Sequence, residues 1–229
     1  AFSNCTSLRS LKMPSGLKTI GEYAFSMCTN LNSFELPETL ERIGKDAFFH
    51  TGWMEAQTDD WKICDGVLLA YDGKETSIII PGDIRLIASG FLSNYSKVKN
   101  VTLSYGLESV SPGAFAGCES LTQVNFSSSV RRIEAEAFLD CTMLKTLQGM
   151  TNVEEIGDSA FNGCKALTTV ELPETLTRLG SHAFQDCFDL VEISIPHSLT
   201  EIEDHTFYGC ISPVSYTHLR AHETGAYLV

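Results

Sequence analysis

One apolar rhythm runs through the chain. In "LTTVELPETLTRLGSHAFQDCFD", Leu167 to Asp189, apolar residues fall at Leu167, Val170 and Leu172, then at Leu176 and Leu179, then at the Ala183-Phe184 step. The alternation around Val170 predicts a short β-strand, and Pro173, with no amide to donate, predicts its end. A second apolar pair follows, Leu176 and Leu179 here and Leu17 and Ile20 in the first full unit. The opening position recurs as Leu8, Leu31, Val98, Leu121, Leu144, Leu167 and Leu190, spaced by 23 residues everywhere outside one gap. A fixed period of that size predicts a stack of equivalent coils, since one unit cannot bury its own apolar side. The phenylalanine recurs as Phe25, Phe48, Phe115, Phe138, Phe161, Phe184 and Phe207, so a stacked phenylalanine spine is expected in the core. Burying each ring contributes roughly 1.5–3 kcal/mol by area transfer. The glycine after the second apolar pair is less regular: Gly21, Gly44, Gly157 and Gly180 alternate with Ala88, Ser111, Glu134 and Glu203, which argues against a strict positive-φ requirement.

Between Gly52 and Glu75 the rhythm breaks for the length of about one further unit. The inserted "WMEAQTDDWKICDGVLLAYDGK" holds two apolar runs, "WKIC" and "VLLAY", around an Asp-Gly turn, which predicts an antiparallel hairpin beside the stack. The repeat resumes with Glu75 in the opening slot, Phe91 and Leu92 in the Ala-Phe slots and Tyr95 where other units carry cysteine. Trp53, Trp61 and Tyr71 read either as an aromatic patch for a ligand or as the cover of the hairpin's own small core. The chain thus divides into repeats over 1–52, a hairpin over 53–74, repeats over 75–212 and a tail over 213–229.

In the tail the pattern stops: Pro213 stands where an apolar residue is due, and no strand alternation, Ala-Phe step or capping pattern follows. "VSYTHLRAHET", Val214 to Thr224, is the translation of a transposase mosaic-end adapter used in sequencing libraries, and "YLV", Tyr227 to Val229, continues it beyond an index. Residues 213–229 are therefore expected to be a non-native, adapter-derived tail. The chain opens inside an Ala-Phe segment and no unit has a polar cap, so self-association is expected.

The frame carried by "LNSFELPETLERIGKDAF" and "LTTVELPETLTRLGSHAFQDC" resembles the BspA-like leucine-rich repeats of secreted and surface bacterial proteins. The resemblance covers nearly the whole chain up to Cys210. It implies an α/β repeat fold: a leucine-rich-repeat solenoid with a parallel β-sheet on one face and short helical turns on the other. It also implies an extracellular or cell-surface location and a role in adhesion and protein binding, without naming a partner.

The cysteines invite a disulfide framework, but Cys5, Cys28, Cys118, Cys141, Cys164, Cys187 and Cys210 all occupy one slot of the repeat. Equivalent atoms of adjacent coils lie about 4.8 Å apart, too far for a sulfur–sulfur bond near 2.05 Å, so free thiols acting as small buried hydrophobes are expected. Cys64, in the insertion, has no partner in register. His182 and His205 share a slot near Asp204, but a zinc site would need a third protein ligand, so no metal and no cofactor is expected. No nucleophile elbow, zincin helix or phosphate-binding glycine loop occurs, and a non-enzymatic chain is expected. The net charge of −13, without a basic patch, disfavours nucleic acid and anionic membrane as partners. No apolar run approaches the roughly 20 residues of a membrane span, so no membrane insertion is expected.

What remains is the outward side of the strands, which alternation points away from the core. Its candidate binding residues are Ser10, Lys12, Ser33, Glu35, Asn100, Thr102, Gln123, Asn125, Thr146, Gln148, Thr169, Glu171, Glu192 and Ser194, with Ser77 and Ile79 in the unit after the insertion. Extended solenoid faces of this kind are common binding surfaces, and the expected partner is a host or neighbouring-cell surface protein. Three alternatives stay open: a solvated face whose amides and hydroxyls bond along the ladder, a spacer that displays another domain, and an intracellular scaffold, which reduced cysteines would permit.

Overall fold

In the computed structural model, which describes residues 2–211 and the backbone of 215–217, the regular coil lays down two strands. The early strands are β1 (Ser10–Leu11), β2 (Thr19–Ile20), β3 (Ser33–Phe34) and β4 (Arg42–Ile43). After helix α1 (Gly52–Ala56) come β5 (Trp61–Cys64), β6 (Val67–Tyr71), β7 (Ser77–Ile79) and β8 (Leu86–Ile87). The later coils add β9 (Asn100–Thr102), β10 (Ser109–Val110), β11 (Gln123–Asn125), β12 (Arg132–Ile133), β13 (Thr146–Gln148), β14 (Glu155–Ile156), β15 (Thr169–Glu171), β16 (Arg178–Leu179) and β17 (Glu192–Ser194).

First strands pair parallel with first strands of the next coil, as Asn100, Gln123 and Thr146 do in line. Second strands form a second parallel ladder, with Val110, Ile133, Ile156 and Leu179 stacked inward. A last strand, β18 (Ser215–Thr217), pairs parallel with β17 and sets Ser215 opposite Glu192. The ladder thus runs one rung into the segment expected to carry no strand. Pairing needs only amides and carbonyls, which any non-proline segment supplies, so this rung does not bear on the tail's adapter-like sequence. Pro213, Val214 and residues 218–229 lie outside the described residues.

The side opposite the first ladder turns through two left-handed residues per coil, one before the Ala-Phe step and one before the cysteine. In consecutive coils these are Glu136 (φ 59°) and Asp140 (φ 54°), then Ser159 (φ 56°) and Gly163 (φ 74°). Their alternation aims every second amide along the stack: Glu136, Phe138 and Asp140 donate to Asp158, Ala160 and Asn162 carbonyls at 2.9, 2.8 and 2.8 Å. A helix cannot propagate through such residues. The short helical turns implied for this side are accordingly single hydrogen-bonded turns, and α1 is the one α-helix among the described residues. The irregular glycine slot behaves as read: Gly21, Gly44, Gly157 and Gly180 have no positive φ.

Gly163 meets two demands, because a methyl there would also overlap Asp140 Oδ1 of the preceding coil. Gly163→Ala is therefore expected to cost about 1–2 kcal/mol, whereas Glu136→Gly should stabilise by about 0.5–1 kcal/mol by relieving a left-handed glutamate. Urea midpoints of the two variants check the opposite signs.

The spine is present. Phe115, Phe138, Phe161 and Phe184 are fully buried and stack at 5.3, 5.3 and 5.2 Å between ring centroids, and Phe207 follows at 5.9 Å. Phe2, Phe25 and Phe48 form a separate stack at 5.7 and 5.4 Å.

The hairpin separates these stacks, and here the expectation needs correction. It does not lie beside the solenoid, because β6 pairs parallel with β8, Val67 against Leu86 and Leu68 against Ile87, as a rung of the second ladder. "VLLAY" carries no polar alternation and is buried on both faces, the signature of an interior strand. Thr51 explains the detour. It stands in the cysteine slot, and its hydroxyl accepts the Met54 amide as the N-cap of α1, so helix replaces strand at that point of the first ladder. Asp65 and Gly66, at φ 48° and 70°, make the two-residue turn that joins β5 to β6. Asp65 also accepts the Leu36 amide at 2.7 Å, and Arg85 donates to the Leu40 and Pro37 carbonyls at 3.1 and 3.0 Å, bolting the hairpin tip to the second coil.

Candidate functional site

The first ladder's outward residues fall into three groups. Ser10 and Lys12 neighbour Ser33 and Glu35 at the start, all exposed. The rung occupied by α1 cuts them off from Ser77 and Ile79, which begin the second group. In that group Ser77, Asn100, Gln123 and Thr146 stand in register, and so do Ile79, Thr102, Asn125 and Gln148. The third group pairs Thr169 with Glu192 and Glu171 with Ser194.

The middle group bonds to itself. Asn100 Nδ2 donates to Ser77 Oγ at 3.1 Å, Asn125 Nδ2 to Thr102 Oγ1 at 3.2 Å, and Gln123 Nε2 to Asn125 Oδ1 at 2.8 Å and Gln148 Oε1 at 3.3 Å. Such a ladder stiffens the sheet and spends its hydrogen-bonding capacity internally. Glu171 and Glu192 differ, since neither carboxylate has a hydrogen-bond or ion-pair partner among the described residues. The second ladder's outer side is self-paired in part: Lys18 with Glu41, Arg131 with Glu154, and Arg178 with Asp158 and Glu203.

Between the second and third groups the first ladder splits. β13 ends one sheet and β15 begins another. The cause is local: the coil reads "LQGMTNV" where its neighbour reads "VELPETL". Gly149 (φ 83°) takes the slot of an inward leucine, and its backbone lies so close to Phe126 that a methyl would overlap the Phe126 carbonyl oxygen. Met150 fills the core instead. The split opens a cleft of about 640 Å³ floored by half-buried Leu147, Pro173 and Ile195 and rimmed by Thr169, Glu171, Glu192 and Ser194. The candidate residues of β15 and β17 therefore surround a concavity. Sequence reasoning selected Glu171 and Glu192 but missed Gly149 and Met150; the repeat's own departure from "LP" at that coil was the available signal.

The remaining candidates resolve into structure. Trp53 packs on Phe34 at 5.2 Å between centroids, in the first core, while Trp61 packs on Tyr71 at 4.5 Å and on Phe91 at 6.4 Å, in the second. They share no patch and cover two cores rather than one of the hairpin's own. A second cleft, of about 320 Å³, lies between the first coils and the hairpin beside Lys62. Its ammonium is spoken for, bonding the Gln57 and Asp59 carbonyls at 3.1 and 2.6 Å and Asp72 at 3.1 Å. His182 and His205 stack at 5.0 Å, and no group of three or more His, Cys, Asp or Glu could hold a metal among the described residues. No helix among them is long and apolar enough to cross a membrane.

The cysteine ladder is a hydrogen-bonded device. All eight cysteines are free. The Sγ–H of Cys118, Cys141, Cys164 and Cys187 donates to the carbonyls of Leu92, Phe115, Phe138 and Phe161 in the preceding coil, at 3.2–3.3 Å. Those carbonyls also accept the amides of Tyr95, Cys118, Cys141 and Cys164, so thiol and amide together use both lone pairs. Burial pushes these thiols up, Cys118 to about 12 and the other three well above the ordinary range, so none is a nucleophile near neutral pH.

The BspA-type leucine-rich repeat model matches residues 1–59, 69–188 and 142–221, in six copies. The chain belongs to this family. Among solved structures, a leucine-rich repeat protein of T. pallidum superposes with a TM-score of 0.64 at 25% identity, covering 66% of this chain and 72% of that one. One from Bacteroides ovatus gives 0.58 at 25% identity, covering 94% and 51%. The pneumococcal vaccine antigen PcpA gives 0.65 at 22% identity, covering 93% and 64%, a likeness of fold. The chain thus spans about half of the B. ovatus protein's length and under two thirds of PcpA's. No curated protein matches significantly.

Proposed function

We propose that this BspA-type repeat chain is a non-enzymatic protein-binding module of a secreted or cell-surface bacterial protein, acting through the outward side of its first ladder. The observation that carries the reading is that Glu171 and Glu192, neither paired among the described residues, stand together at the rim of the cleft. Charged groups kept free of internal partners at a concavity are available for complementary contacts. Family and neighbours support the setting: the related folds include a vaccine antigen and, from Faecalibacterium prausnitzii, a protein described as a leucine rich cell surface protein. The partner would be a host or neighbouring-cell surface protein. The self-bonded middle group favours a second reading, a spacer whose face is merely solvated.

Glu171→Lys with Glu192→Lys separates the two. Against a panel of purified host and bacterial surface proteins, binding to at least one is expected to fall by tenfold or more, about 1.4 kcal/mol or above. Glu108→Lys, an exposed change on the second ladder's side, should leave it intact. Binding equal in all three proteins, with unchanged circular dichroism, would leave the spacer reading.

A further inference from the structure

We propose that the cleft at the split of the first ladder is a pocket for an arginine side chain presented by the protein partner. The inference rests on the protein-binding reading and names its chemistry. Three observations converge on it.

First, the pocket is made by a single coil's departure from the repeat. A leucine at position 149 would continue the inward row of Leu103, Phe126 and Leu172; Gly149 with Met150 parts β13 from β15 instead. Places where a regular sequence breaks its own rule are where function is to be sought. Second, the lining is amphipathic. Half-buried Leu147, Pro173 and Ile195 offer an apolar floor, and Glu171 and Glu192 stand beside it on adjacent strands. Their positions are diagonal across the parallel pair, two residues along and one strand over, about 8 Å apart, so one planar cation can lie between them. Third, neither carboxylate has a cation of its own among the described residues, on a chain with a net charge of −13.

An arginine answers all three. Its methylene stem covers apolar floor while the guanidinium stays at the wet rim. The guanidinium is planar, less strongly hydrated than an ammonium, and presents paired N–H donors to carboxylates, with further donors for Thr169 and Ser194. A lysine would bring a single point charge and keep more of its water. The partner is thus a protein with an exposed arginine on a loop or extended segment, and the negative field of the chain steers it.

The probe is acetyl-Gly-Arg-Gly-amide, titrated into the full chain and followed by amide chemical shifts. Shifts are expected to saturate in the millimolar range and to centre on Gly149, Thr151, Thr169, Glu171 and Glu192. Glu171→Gln with Glu192→Gln should weaken the tripeptide about tenfold. The lysine tripeptide should bind more weakly than the arginine one, and a citrulline tripeptide, isosteric but neutral, should not bind. Gly149→Leu with Met150→Pro, which restores the repeat, should join the ladders and abolish binding. Absence of saturation, equal shifts at every acidic patch, or equal affinity in the Gln variant would overturn the inference. Should the charge-reversed protein lose a partner that the tripeptide does not mimic, the binding-face reading stands and the arginine pocket falls. Tripeptide binding at the cleft with no protein bound by any variant overturns the binding-face reading instead.

Discussion

Between pH 9 and pH 10 four buried thiols are expected to take about 4 kcal/mol off the protein's stability, a large share of what holds a typical domain together. Cys118, Cys141, Cys164 and Cys187 are fully buried, and burial keeps them protonated in the folded coil, Cys118 up to about 12. In the unfolded chain a thiol ionises near 9.0. The sign follows by linkage: the folded-state value is raised, so the contribution is complete below the unfolded value and is lost as pH climbs above it. An unfolded thiol is half ionised at pH 9 and about nine-tenths ionised at pH 10, so each gives up about 1 kcal/mol over that window, and four together give the figure above. The hydrogen bonds reinforce the direction, since ionisation would remove a donor and set a sulfur anion against a carbonyl lone pair. Urea midpoints at pH 7, 9 and 10 in the presence of a reductant test it. Cys164→Ala should be weaker at pH 7 by about 1 kcal/mol, the worth of its hydrogen bond, yet should lose about 1 kcal/mol less between pH 9 and 10. A midpoint unchanged from pH 9 to 10, or a variant that loses as much as its parent, would sink the account.

The slot that produces this behaviour was visible in the sequence because seven cysteines keep one register, and a period of 23 places equivalent atoms on neighbouring rungs. The bond each thiol makes was not visible, because it depends on the preceding coil's carbonyl having a free lone pair. The same contrast recurs elsewhere. Inward positions such as Val124, Val170 and Ile193 follow from alternation alone. The left-handed slot before each cysteine escaped notice because Met27, His50, Asn94, Asp140 and Asp186 share it with Gly117, Gly163 and Gly209, and only the glycines advertise positive φ. The hairpin was legible in its Asp-Gly turn, yet its place in the ladder hinged on the unbroken apolar run of β6, which admits only an interior rung. For the candidate site, alternation identified the face, but the cleft arises from a missing leucine at Gly149, and an absence is read only by laying the coils one upon another.

Phe161→Ala is expected to cost about 3–5 kcal/mol, and to cost it on one side of the hairpin only. Phe161 has no exposed surface and stacks on Phe138 and Phe184 at 5.3 and 5.2 Å, with interplanar angles of 1° and 9°. Truncation removes its own transfer energy and leaves both neighbouring rings with an unpacked face, a void that the rigid 23-residue spacing cannot close by collapse. Phe207, half-buried and stacked on Phe184 alone within the spine, should cost less when truncated. The confinement follows from the sheet β5-β6-β8. Val67, Leu69, Leu86 and Ala88 belong to the core of the first coils, whereas Leu68, Tyr71 and Ile87 belong to the core of the later ones. The hairpin is therefore a wall with an apolar face on each side, and the two phenylalanine stacks do not touch across it. In a repeat array, stability is a sum of unit and neighbour-interface terms, so a defect spreads through contacts and halts where they are interrupted. Hydrogen exchange should show faster opening of β9 to β16 in Phe161→Ala with β1 to β4 unchanged, and the converse in Phe48→Ala. Equal acceleration on both sides in either variant would mean that the wall transmits the loss and that the array is one cooperative unit.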